Sequence, residues 1–304
     1  MIPAGETFNG SWPYQPNFSE AAGFRQHYVD EGPRDGQVVV CLHGEPTWGY
    51  LYRKFIPGLA RHYRVVVPDH MGFGKSETPQ DRVYTLQSHV ENLTALIQEL
   101  DLQEVTFVCQ DWGGPMTGAF TIRHPERVKR LVLMNTLFGY SGVTVNPAPS
   151  EWFKWIARHY QAGTLEGILG ELGSTVLSVM KIVGFENSSA VDQTWIDAYS
   201  APFPDRASCI GAIEFPLDVH LGRFREYILA GLETGNLDRL KAKPAMLAYG
   251  MKDRAIRPEN AIADFRALYP GAPVNTFEDA SHFCQEDISH ILVPLIHQFI
   301  QMNP

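Results

Sequence analysis

Residues 105–118 read "VTFVCQDWGGPMTG". An apolar, β-branched run stops on Asp111 and Trp112, and two glycines follow at once. A strand that ends this way predicts a tight turn running straight into a helix, with the turn residue lifted clear of the sheet. The pattern is that of a nucleophile elbow, usually G-x-S-x-G. Here the five residues are Cys109-Gln110-Asp111-Trp112-Gly113, so the position that would carry a serine carries Asp111. Small residues around it let the backbone take a strained shape and let the helix pack close.

Working outward, short apolar runs recur: "VVVCLH" (38–43), "RVVVPD" (64–69), "RLVLMN" (130–135), "AMLAYG" (245–250) and "VNTFED" (274–279). Several lack polar alternation, as strands covered on both faces do. Helix-period segments lie between them, such as "LQSHVENLTALIQELD" (86–101) and "ISHILVPLIHQFIQ" (288–301). Strand–helix alternation predicts an α/β fold with a parallel sheet. The alternation lapses from 139 to 219, where "SEWFKWIARHY" and "GTLEGILGELGSTVLSVMKIVG" read as helices. That stretch is expected to form a helical cap on a core built from 1–138 and 220–304, above the strand ends where open α/β sheets bind ligands.

The 304 residues suffice for a large buried core, and 44% of them are apolar. A formal charge of −9 with no Lys/Arg run disfavours nucleic acid and anionic membranes as partners. The four cysteines have no metal-type spacing, and no signal peptide or membrane-length apolar run is seen. The expectation is a cytoplasmic protein with no metal and no cofactor.

Asp111 has candidate partners in the chain order that an elbow nucleophile calls for. "LAYGMKDRAIRP" places Asp253 just past a strand, and "FEDASHFCQED" places His282 just past the last one. A carboxylate attacks an sp³ carbon bearing a leaving group and forms an alkyl ester, which water then hydrolyses. His282 would deprotonate that water while Asp253 holds its tautomer. In "CLHGEPTWGYLYR" (41–53) a strand ends at His43-Gly44. The backbone N–H groups of Glu45 and Trp112 are the expected oxyanion-hole donors.

The segments "HGEPTWGYLYR", "DHMGFGKSETP", "QDWGGPMTG", "GMKDRAIRP" and "DASHFCQED", spanning 43–287, resemble the haloalkane dehalogenases of the α/β-hydrolase superfamily. The resemblance implies a mostly parallel eight-stranded sheet with helices on both faces and a helical cap. With Glu45 after His-Gly and Asn135 after the strand following the elbow, the chain is similar to the branch whose acid lies at Asp253 and whose halide is held by two tryptophans. It further implies that Trp112 and Trp155 bind the halide, Trp155 lying three residues after the pocket residue Trp152, with Trp152 as the alternative donor. Pro115, Phe215, Pro216, Ala255 and Ile256 would line the pocket with Trp152. Pro115 stands where an aromatic is usual and Trp152 where a phenylalanine is, which affects substrate range. The implied substrate is a small apolar haloalkane, with halide ion as product and the protein a monomer.

Blander roles compete. Asp111 alone could be a turn residue or helix cap. A tryptophan in an apolar helix, as Trp155 is, is more often core. Asp69 and the carboxylate of Glu45 read as structural, and "MGFGKS" lacks phosphate-loop spacing. The main rival activity is epoxide hydrolysis from the same aspartate, with cap tyrosines Tyr160 and Tyr199 as acids. A non-catalytic binder or a light-emitting oxygenase on this scaffold would lack the intact Asp111–Asp253–His282 set and this branch's signature.

Overall fold

The computed structural model describes residues 2–142 and 149–304. Eight strands form one sheet: β1 (Asn17–Ser19), β2 (Gln26–Glu31), β3 (Val38–Leu42), β4 (Arg64–Pro68), β5 (Val105–Gln110), β6 (Val128–Met134), β7 (Ala245–Gly250) and β8 (Val274–Phe277). Their order is β1-β2-β4-β3-β5-β6-β7-β8. The first two pairings, β1 with β2 and β2 with β4, are antiparallel, and the rest are parallel. The central register runs Val40↔Phe107 and Phe107↔Leu131. All six residues of β5 are buried, which explains its unalternating apolar sequence.

The helices are α1 (Ile56–Leu59), α2 (Leu86–Glu99), α3 (Gly113–Arg123), α4 (Glu151–Gln161), α5 (Leu165–Leu169) and α6 (Leu172–Val183). They continue with α7 (Gln193–Ser200), α8 (Ile210–His220), α9 (Phe224–Leu232), α10 (Leu237–Lys241), α11 (Pro258–Leu268) and α12 (Cys284–Met302). Of these, α2, α3 and α11 are the crossovers that parallel strands require. The strand order reverses between β3 and β5, because β3 continues to β4 on one side and the chain returns to β5 on the other. A crevice opens at such a switch point, beyond the carboxyl ends of the strands. The β3 loop and the β5 elbow both end there.

Helices α4–α8 follow β6 and are pinned to the sheet domain by polar contacts. The Trp48 indole N–H donates to the Ala198 carbonyl at 2.8 Å. Glu286, at the start of α12, is fully buried. It accepts from both guanidinium nitrogens of Arg53, from Lys54 at 3.2 Å, and from the Tyr199 hydroxyl at 2.6 Å. The boundary expected at 219 falls one residue before α8 ends at His220.

The sequence patterns named six of the eight strands. β1 and β2 lack a readable pattern because β1 has three residues and β2, "QHYVDE", mixes charge with apolar residues near the antiparallel edge. Among the described residues no helix is long and apolar enough to cross a membrane.

Candidate active site

Asp111 sits on the turn between β5 and α3 with φ of 51°, in the left-handed region that non-glycine residues rarely occupy. Its surroundings enforce this shape. A Cβ at Gly113 would lie 2.5 Å from the Leu42 carbonyl oxygen, and one at Gly114 would lie 2.0 Å from Thr136 Oγ1. Only glycine lets α3 start this close to β3 and to the β6 loop. The backbone N–H of Glu45 donates to Asp111 Oδ1 at 2.9 Å. That N–H is in reach because residue 44 is glycine: a Cβ there would stand 2.1 Å from the same oxygen.

His282 and Asp253 complete the cluster. His282 Nε2 lies 3.3 Å from Asp111 Oδ2, close but without hydrogen-bond alignment. Its Nδ1 lies 3.1 and 3.0 Å from Asp253 Oδ1 and Oδ2. Asp253 Oδ1 accepts from the backbone N–H groups of Ala255 and Ile256 at 2.8 and 3.0 Å. Its Oδ2 accepts from Asn135 Nδ2 at 2.9 Å and from the Tyr249 hydroxyl at 3.0 Å. Burial alone would depress the His282 pKa, but the charge of Asp253, the close approach of Asp111 and the hydrogen bonds to Asp253 raise it to about 10. The ring is therefore held as imidazolium while both carboxylates are charged. Burial, and then the charge of Asp111, pushes the Glu45 carboxyl well above the usual carboxylate range.

A cavity of about 160 Å³ opens above Asp111. Its floor is Asp111 and Trp112. Its walls are Leu86, Pro115, Thr136, Leu137, Gly139, Trp152, Phe153, Val219, Phe224, Ile228, Ala255 and Ile256. The lining is almost wholly apolar. The indole N–H groups of Trp112 and Trp152 have no protein acceptor among the described residues.

The structure separates the expected pocket residues. Trp112, Trp152, Pro115, Ala255 and Ile256 line the cavity. Trp155 does not: it is half-buried behind Trp152, its ring stacked on that indole at 5.1 Å and 8°. The backbone N–H of Trp152 donates to the Arg254 carbonyl at 3.2 Å, which seats the first turn of α4 against the loop carrying Asp253. Phe215 also stays outside, stacked on Trp112 at 4.5 Å and 15°, where it buttresses the indole. Pro216 is buried inside α8.

Of the rival tyrosines, Tyr160 is exposed and Tyr199 is fully buried against Glu286; neither lines the cavity. Leu86, Phe153, Phe224 and Ile228 line it unannounced by any motif. Their only sequence signal is apolar character at a helix start or on a helix face. Asp69 accepts from the backbone N–H groups of Gly49 and Lys75, both at 2.8 Å, and so orders its turn. Among the described residues no group of three or more His, Cys, Asp or Glu could hold a metal.

Residues 37–177 match the family model described as the α/β hydrolase fold. A haloalkane dehalogenase from Psychrobacter cryohalolentis is 33% identical, with 94% of this chain and 90% of that protein covered. The chain belongs to the haloalkane dehalogenase family of α/β hydrolases. A cis-3-alkyl-4-alkyloxetan-2-one decarboxylase from Xanthomonas campestris is 35% identical, covering 93% of this chain and 94% of that one. Among solved structures, the tetrameric haloalkane dehalogenase DpaA from Paraglaciecola agarilytica superimposes with a TM-score of 0.74 at 32% identity, covering 95% and 92% of the two chains. The fold and family inferred from the motifs are thus the observed ones.

Proposed function

We propose that this haloalkane dehalogenase relative hydrolyses small halogenated alkanes to an alcohol, a halide ion and a proton, through an alkyl ester on Asp111. The observation that carries the reading is an elbow aspartate at the floor of an almost wholly apolar cavity that two tryptophans, Trp112 and Trp152, also line. An indole donates one hydrogen bond and has no lone pair to repel an anion. Trp112 and Trp152 are the proposed halide donors; Trp152 takes the role the resemblance gave to Trp155, because Trp155 stacks on it and does not line the cavity.

In the first step Asp111 Oδ2 attacks the carbon and the carbon–halogen bond breaks with its electron pair leaving on the halide. The dry lining keeps water from solvating the nucleophile. Esterification then removes the charge of Asp111, one of the two carboxylates that raise the His282 pKa. His282 can now give up its proton to solvent and, as the neutral imidazole, take a proton from the attacking water. Attack of that water on the ester carbonyl builds charge on the oxygen facing the Glu45 N–H. Collapse releases the alcohol and restores Asp111.

Cavity size also supports small substrates. A cavity of this volume is known to hold one benzene-sized molecule. An oxetan-2-one ring carrying two alkyl groups exceeds that unless both groups are very short, so the decarboxylation named for some relatives is the second reading. Epoxide opening lacks a tyrosine acid in the cavity among the described residues, because Tyr199 is committed to Glu286 and Tyr160 faces solvent. The solved relative is a tetramer, so the monomer expected from sequence is not carried forward; light scattering of the pure protein decides the assembly state.

The test is mass spectrometry of His282→Phe after exposure, separately, to a short bromoalkane, an epoxide and a dialkyl oxetanone. An alkyl adduct on the Asp111 peptide from the bromoalkane is expected. An adduct from the epoxide alone, or parent-enzyme turnover of the oxetanone alone, would overturn the reading.

A further inference from the structure

Tyr249 is the second-last residue of β7 and reads in the sequence as an ordinary core aromatic. It is fully buried, yet its hydroxyl has two acceptors: Asp253 Oδ2 at 3.0 Å and the Ile256 carbonyl at 3.1 Å. One phenol proton is thus shared between the catalytic acid and the loop that shapes the cavity wall. Burial, with the charge of Asp253 next, pushes the Tyr249 pKa well above the usual tyrosine range, so the group stays a donor.

The donors to Asp253 are divided evenly between its two oxygens. Oδ1 of Asp253 takes two backbone N–H groups, and Oδ2 takes Asn135 and Tyr249. With two donors on each oxygen, the carboxylate stays centred on His282 Nδ1, nearly equidistant from both oxygens. Each donor also withdraws charge that would otherwise stabilise the imidazolium. Asn135 is tied as well to Gly250, through both its amide nitrogen and its oxygen. The Tyr249 hydroxyl is the one side-chain donor to Asp253 that substitution can delete while its ring stays in place.

We propose that Tyr249 is a positioning residue that weakens the grip of Asp253 on the His282 proton, and so speeds the release of that proton when Asp111 is esterified. The proposal rests on the nucleophile–base reading above. The titratable groups facing this pair are Asp111 after β5, Glu45 after β3, and, around Tyr249 itself, Cys284 of α12 and Glu259 of α11. None of them replaces the lost donor when Tyr249 becomes phenylalanine.

The test has two arms. In the first, the His282 imidazole is titrated by NMR in ¹³C-histidine-labelled Asp111→Ala protein, which lacks the nucleophile's charge as the ester does. Adding Tyr249→Phe should raise the titration midpoint by about half to one pH unit. An unmoved or lowered midpoint overturns the proposal. This arm needs no substrate, so it stands apart from any failure of the dehalogenase reading. In the second arm, Tyr249→Phe with Asp111 intact should shift the acid limb of kcat to higher pH and accumulate alkyl-enzyme, with the alkylation rate unchanged. Loss of alkylation in step with kcat would mean a merely structural role and would also overturn the proposal. Should Tyr249→Phe not fold, 3-fluorotyrosine at position 249, a stronger donor of nearly the same shape, should move the midpoint downward; no movement overturns it.

Discussion

Replacing Tyr199 by phenylalanine separates two accounts of that residue. In the structure the Tyr199 hydroxyl donates at 2.6 Å to Glu286, a buried carboxylate that also holds Arg53 and Lys54. A hydrogen bond to a charged group contributes about 1.5–3 kcal/mol. Arg53 still satisfies the abandoned oxygen, so the loss should sit near the lower bound, about 1.5 kcal/mol. For a chain of this size that corresponds to a fall of roughly 2–3 °C in Tm. Urea unfolding should show a lower midpoint with an unchanged slope. Turnover of a short bromoalkane should stay within about twofold, because Tyr199 is outside the cavity. A tyrosine acting as the acid for an epoxide would instead cost about 10²–10⁴ in rate. Turnover lost on that scale with an unchanged midpoint would refute the assignment of Tyr199 to the Glu286 cluster.

Three further outcomes follow from the site. Trp152→Phe should weaken halide quenching of tryptophan fluorescence about tenfold or more, whereas Trp155→Phe should leave the affinity almost unchanged; the reverse order would return the donor role to Trp155. Gly44→Ala should abolish ester formation in the His282→Phe trap, since the new Cβ would lie 2.1 Å from Asp111 Oδ1; a normal adduct yield would show that the loop gives way freely. The His282 pKa is raised on folding from 6.5 to about 10, so its stabilising contribution is full below about pH 6.5 and is lost as pH rises through about 10. Unfolding free energy measured in urea should therefore decline across that window, and less steeply in Asp111→Ala; an identical slope in the two proteins would contradict the pairing.

The clustering of Asp111, Asp253 and His282, the proposed catalytic trio, could be read from the chain because each member follows a strand, and strands buried on both faces announce themselves by unbroken apolar runs. Asp111 follows β5, Asp253 follows β7 and His282 follows β8. The cavity walls could not be read in the same way. Trp152 and Trp155 are three residues apart on one helix and so project from neighbouring positions. Which indole reaches the cavity depends on how α4 docks, and the Trp152–Arg254 backbone contact that fixes this joins residues far apart in sequence. Phe215 was misplaced for a related reason: an aromatic beside an active-site tryptophan can face the substrate or support the indole, and only packing decides. Tyr249 was silent because a strand tyrosine in "AMLAYG" looks like core, and its hydroxyl matters only once the loop folds back to bring Asp253 over it.

The polar ties between the helical layer and the sheet domain are unevenly distributed. Trp48 and Glu286 fasten Ala198 and Tyr199, while α4, which brings Trp152 and Phe153 over the nucleophile, is joined to the strand loops by the single Trp152–Arg254 backbone bond and by no buried ion pair among the described residues. An element held firmly at one corner yields at the other. Displacement of the roof should pivot about α7, with Trp152 and Phe153 travelling furthest. The residue proposed to hold the departing halide would then also be the one whose withdrawal lets the ion escape, so tighter halide binding would slow product release.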